Sequence, residues 1–133
     1  MKKNLLKYVL FLLGLGLAGV SFAGDVYVIS NSALKLTVAD ARDIFLGEKQ
    51  FAGGMALAVV DNREVQADFV NKVLKMDGKK YKIYWAQLSF RDGVPPPHLK
   101  ANDAEVLAYV KATPGAVGYV STPPSGVNVI QKY

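Results

Sequence analysis

Ala56-Leu57-Ala58-Val59-Val60 is an uninterrupted apolar run of strand length. A strand with one wet face alternates apolar and polar residues. A continuous run instead suits a central strand covered on both faces. Such a strand needs helices above and below it, and the flanking sequence offers them at regular intervals.

Val26-Tyr27-Val28-Ile29 reads as a first strand, followed by a polar turn at Ser30-Asn31-Ser32. Thr37 is placed to cap a helix, with Asp40 positioned to reach back to it. Ala41, Ile44 and Phe45 form the apolar side of that helix, and Gly47 suits a left-handed stop. Phe51 to Met55 reads as a Gly-rich connection into the apolar run. Asp61-Asn62 then offers a cap for a second helix carrying Val65, Phe69, Val70, Val73 and Leu74, with Asp77-Gly78 as its breaker.

A third helix is expected over Lys80 to Leu88. Tyr81, Tyr84, Trp85 and Leu88 recur there at helical spacing, the pattern of a core face. Arg91 to Lys100 reads as a loop stiffened by Pro95, Pro96 and Pro97. Asn102 caps a fourth helix, with Glu105 in the capping-box position and Val106, Leu107 and Val110 on the buried side. Pro114-Gly115 turns the chain into a strand at Ala116 to Val120, and Val127 to Ile130 suits a last short strand. Strands alternating with helices predict an α/β fold. The expected form is a four- to five-stranded, mostly parallel or mixed sheet flanked by about four helices.

The order of these motifs carries a resemblance. Arg42-Asp43-Ile44-Phe45-Leu46-Gly47, the strand ending at Val60, the helix leading to Phe69 and Leu74, the Trp85 helix and the turn and strand from Pro114 to Val120 follow one another. Together they resemble one lobe of the phosphate-type solute-binding proteins of ABC transporters, over roughly Leu36 to Val120. The match is similar still more to short, single-lobe secreted proteins of that family. The resemblance implies a single periplasmic-binding-protein-like lobe, phosphate or another small oxyanion as ligand, and an ABC transporter or other membrane or periplasmic protein as partner. It implies neither a cofactor nor a nucleic-acid partner.

In the two-lobed relatives, an Arg and a Ser-Gly-Thr run at a helix start hold phosphate. Backbone amides and hydroxyls donate to the oxyanion while the guanidinium supplies charge. The matching stretch here is Asp61-Asn62-Arg63-Glu64, and no Ser or Thr occurs between Thr37 and Ser89. Arg63 and Asn62 are the candidates for an anion at this helix start, with Ser30, Asn31 and Ser32 as a possible second set of donors after the first strand. The alternatives are a surface Arg63 paired with Asp61 or Glu64, and an ordinary turn at Ser30 to Ser32. Two functions follow. One is a weak oxyanion-binding lobe. The other is a periplasmic interaction module that has lost small-molecule binding, which the missing hydroxyl run favours.

An enzyme is not expected. The chain has no Cys and one His, His98, which sits after the prolines. Asp40 and Asp43 have reason enough to stand at a helix start in the helix dipole. Residues 1–23 read as a secretory leader: Lys2, Lys3 and Lys7, then the apolar run from Leu10 to Val20, then Ser21-Phe22-Ala23 as a cleavage site. That leaves a single domain over 24–133, periplasmic and, lacking cysteine, not a lipoprotein. Three of the 16 basic residues fall in the leader and all 11 acidic ones outside it, so its removal takes the net charge from +5 to about +2. The Lys79-Lys80-Tyr81-Lys82 cluster reads as a solvated helix face.

Overall fold

The computed structural model describes residues 24–133; the expected leader lies outside the described residues. The main sheet has five strands, β1 (Tyr27–Ser30), β4 (Ala58–Asn62), β5 (His98–Lys100), β6 (Ala116–Val120) and β7 (Asn128–Lys132). Their order is β5-β4-β6-β1-β7. β4 pairs in parallel with β5 and β6, while β1 runs antiparallel to β6 and β7. Four helices accompany it: α1 (Val38–Phe45), α2 (Gln66–Lys72), α3 (Gly78–Asp92) and α4 (Asp103–Ala112). The expected mixed α/β sheet with four helices is what forms.

Successive residues of a strand face opposite ways, and the interior divides accordingly. On one face Val28, Val117 and Tyr119 meet Phe45 of α1, Phe69 of α2 and Trp85 of α3. On the other, Ile29, Val60, Ala116 and Val120 meet Val106 and Val110 of α4. The first cluster is aromatic: Phe69 stacks on Tyr119 with centroids 3.8 Å apart, and Phe45 tilts against Phe69 at 4.6 Å. The second is aliphatic and close. Gly118 lies under α4, where an added Cβ would stand 2.9 Å from both Val106 and Val60.

Local signals explain much of this. The Thr37 hydroxyl accepts from the Asp40 amide while the Asp40 carboxylate accepts from the Thr37 amide, the expected reciprocal cap. Gly47 ends α1 with φ of 74°, and Trp85 lies against it so closely that no side chain fits. Trp85 is buried. It lies with Leu88 against Gly47 and donates from its indole to the Phe45 carbonyl at 3.2 Å, rather than stacking on Phe69.

Several expectations are corrected. Asp61 and Asn62 do not cap a helix; both belong to β4, and α2 begins after Val65 without a side-chain cap. Asp77-Gly78 does not simply break α2: Asp77 caps α3 by accepting from the Lys80 amide, and Gly78 is its first residue. α3 also runs on to Asp92 and ends at left-handed Gly93. The stretch after the prolines becomes β5 by pairing with β4, a tertiary choice that three residues cannot announce. Phe51 to Met55 contributes to a small hairpin, β2 (Phe51–Ala52) with β3 (Met55–Ala56). Glu105 reaches the Ala101 amide rather than that of Asn102.

Candidate functional site

The parallel strands β4 and β6 end side by side, and the chain leaves them in opposite directions. From β4 it passes through α2 and α3 to β5; from β6 it goes the other way, to β7. In an open α/β sheet, such a divergence beyond the carboxyl ends of the strands opens the crevice in which ligands sit. Asn62 ends one strand here and Arg63 follows it, while Ser121 and Thr122 follow the other.

Asn62 is fully buried, and its side chain is engaged on every side. Its amide donates to the Asp103 carboxylate at 2.7 Å and to the Tyr119 carbonyl at 3.1 Å, and its oxygen accepts from the Glu64 amide. It fastens the end of β4 to the start of α4. Arg63 is exposed, and its backbone amide donates to the Lys100 carbonyl. Its guanidinium has no hydrogen-bond or ion-pair partner among the described residues, Asp61 and Glu64 included. It stands in the turn before α2 and not at a helix start. The amide donors expected there are therefore not aligned beside it.

Asp103 organises the other polar groups at this end of the sheet. It accepts from the Ser121 amide at 3.1 Å, the Ser121 hydroxyl at 2.7 Å and the Thr122 hydroxyl at 3.2 Å, besides Asn62. Burial would raise its carboxyl, but these hydrogen bonds together outweigh it and hold the group below the usual carboxylate range. Neither Ser121-Thr122 nor Asp103 is legible as a site in the sequence. Their meeting depends on β6 ending where α4 begins.

Ser30, Asn31 and Ser32 lie elsewhere. β1 is antiparallel to β6, with Ser30 opposite Val117 near the start of β6. The end of β1 is thus at the edge of the sheet away from Arg63. Asn31 donates to the Val110 and Lys111 carbonyls at the last turn of α4, whereas Asn62 holds its first residue. Seven residues of helix separate the two anchors, on the order of 10 Å. The Ser30 hydroxyl donates to the Leu34 carbonyl, and the Asn31 oxygen accepts from the Ala33 amide. Ser32 is exposed, and its carbonyl accepts from Asn128. The five sequence candidates therefore do not converge, and Ser30 and Asn31 tie the turn to α4 and to itself.

On the opposite face of β4, Asp61 points toward α3. It accepts from the Tyr119 hydroxyl at 2.8 Å and the Tyr81 hydroxyl at 3.0 Å. Burial pushes its carboxyl up to about 6, against the pull of hydrogen bonds from Tyr119, Tyr81 and Gln66. The same burial, with the Asp61 charge beside them, pushes both phenols far above their ordinary range. Among the described residues, no group of three or more His, Asp or Glu side chains is placed to hold a metal ion. None of the described helices is long and apolar enough to cross a membrane.

No protein-family model matches the sequence, and no curated protein matches it. Solved structures do. An ABC-type phosphate transport receptor from Vibrio cholerae superposes with a TM-score of 0.51 at 19% identity, over 81% of this chain and 46% of the receptor. PstS from Borrelia burgdorferi gives a TM-score of 0.49 at 14% identity, over 73% of this chain and 41% of that one. What is shared is the fold: the mixed α/β arrangement is similar to part of the Vibrio receptor, and the chain spans less than half of that receptor's length.

Proposed function

We propose that the chain is a periplasmic solute-binding lobe that takes phosphate or a similar small oxyanion weakly, in the crevice beyond the ends of β4 and β6. The observation that carries this reading is Arg63: an exposed guanidinium without a partner among the described residues, at the divergence of the two strands. A guanidinium offers an oxyanion both charge and a fork of donors. The likeness of fold to a phosphate transport receptor agrees with it. Phosphate is then the ligand, an ABC transporter or another membrane or periplasmic protein the partner, and the chain a carrier rather than an enzyme.

Weak binding follows from what surrounds Arg63. Ser121 and Thr122 already donate their hydroxyl protons to Asp103, so an anion finds few donors. Glu64, next in the chain, and Asp103 repel it. One observation favours the alternative of a protein-interaction module: Phe90 is 94% exposed on α3, with Ile83 two turns earlier also exposed.

Isothermal titration of the protein over 24–133 with phosphate and with sulfate tests the proposal. Binding of either, abolished by Arg63→Ala with the melting temperature unchanged, is expected. Binding that survives Arg63→Ala places the site elsewhere. No heat with any oxyanion leaves the interaction module, to be pursued by pull-down from periplasm.

A further inference from the structure

β4 presents Asn62 to α4 and, one residue earlier, Asp61 to the opposite face under α3. Asp61 there forms part of the wall of a cavity of about 430 Å³. Gln66, Tyr81, Trp85, Pro96 and Leu99 line it with Asp61. Asp61 is the acidic group of this lining; exposed Lys82 is the other charged one.

Asp61 as a residue is 3% exposed, and its carboxylate has no cationic partner among the described residues. Its hydrogen-bond donors are the hydroxyls of Tyr81 and Tyr119, and the Gln66 side chain lines the same cavity; all three are neutral. Neutral donors fix the geometry of a carboxylate but leave its charge uncompensated. Buried charges are ordinarily paired, because water no longer solvates them. A cation in the cavity supplies that partner. Aromatic rings on the lining favour positive charge as well, and the prolines and Leu99 accept carbon.

We propose that this cavity is a binding site for a small organic cation, a primary ammonium on an apolar body. The ammonium donates to Asp61, and the body lies against Trp85, Pro96 and Leu99. The same carboxylate excludes phosphate and sulfate from this cavity. The site is distinct from the crevice at Arg63, lies on the other face of the sheet and does not depend on it.

Three probes with one apolar body and different charge test the assignment by isothermal titration at about pH 8: phenethylammonium, 2-phenylethanol and 3-phenylpropionate. A charge-assisted hydrogen bond should make the ammonium bind about tenfold or more tighter than the alcohol, with the carboxylate weakest. The groups facing Asp61 are Tyr81 on α3 and Tyr119 on β6, both held neutral by burial, and Gln66 on α2; Lys82 is the remaining charge on the lining. Lowering the pH to about 5 should protonate Asp61 and erase the preference. Asp61→Asn should erase it at about pH 8 while the alcohol still binds. Equal binding of ammonium and alcohol, tighter binding of the anion, or no binding of any probe overturns the proposal. So does a preference for the ammonium that survives both Asp61→Asn and the lower pH.

Discussion

Asp61 and Asp103 are both carboxylates held by hydroxyl groups at the same end of one sheet, yet they respond oppositely to their surroundings. Asp61 lies under α3 and is pushed up to about 6 by burial, which its hydrogen bonds do not overcome. Asp103 opens α4, is partly exposed, and is held below its ordinary range because its donors outweigh a smaller burial. Hydrogen bonds are similar in kind at the two sites. Depth decides the sign. Aromatic side chains bury Asp61 at the wall of its cavity, whereas the Asp103 side meets the edge of a helix and solvent.

The strongest way to break this contrast is to open the aromatic layer. Phe69 is fully buried and stacks on Tyr119, whose hydroxyl holds Asp61. Phe69→Ala should destabilise the lobe by ~3–5 kcal/mol in urea unfolding. Where the variant remains folded, the Asp61 carboxyl should also return toward its ordinary value, read by NMR titration. A small loss of stability would mean that the Phe69 ring is not part of the layer that buries Asp61.

The second test uses pH. Asp61 has a folded pKa above its unfolded one, so the folded protein holds the proton more tightly. Its contribution therefore weakens the fold as pH rises from about 4 to about 6 and stays unfavourable above that. Asp61→Asn removes the titrating charge. The stability of this variant relative to wild type should improve by ~2–3 kcal/mol between about pH 4 and pH 7, measured by urea unfolding. A difference that does not change with pH would show that Asp61 is solvated.

Asp103 gives the smaller and opposite effect. Its lowered pKa contributes stability above the ordinary carboxylate range, lost as pH falls below it. Asp103→Ala removes the acceptor of Asn62, Ser121 and Thr122 and should destabilise by ~1–3 kcal/mol near neutrality. The effect should shrink in strong acid. A loss that persists unchanged there would assign the role of Asp103 to capping geometry rather than to charge.

The sequence made some of this legible. Thr37 with Asp40, Asn102 with Glu105, and Gly47 act within a few residues of themselves, so their caps and stops are readable without a fold. The helical spacing of Tyr81, Trp85 and Leu88 marked a core face for the same reason. The site was less legible. Asp61-Asn62 looked like a helix cap because Asp and Asn cap helices in general. Pairing with β5 instead carries β4 through both residues, which turns one to each face of the sheet.

Ser30 to Ser32 lie apart from Arg63 for a related reason. Their composition suits an anion site, but strand direction decides which edge they occupy, and antiparallel β1 takes them to the far one. What the sequence by itself determined was the alternation of strands and capped helices, and with it an α/β lobe. Periodicity and capping are local and leave their mark in neighbouring residues. The tertiary structure alone decided which polar residues meet: Asp103 with Ser121 and Asn62, and Asp61 with Tyr81 and Tyr119. Those meetings span 18 to 58 positions of chain, and they follow from strand order and direction, which no local pattern encodes.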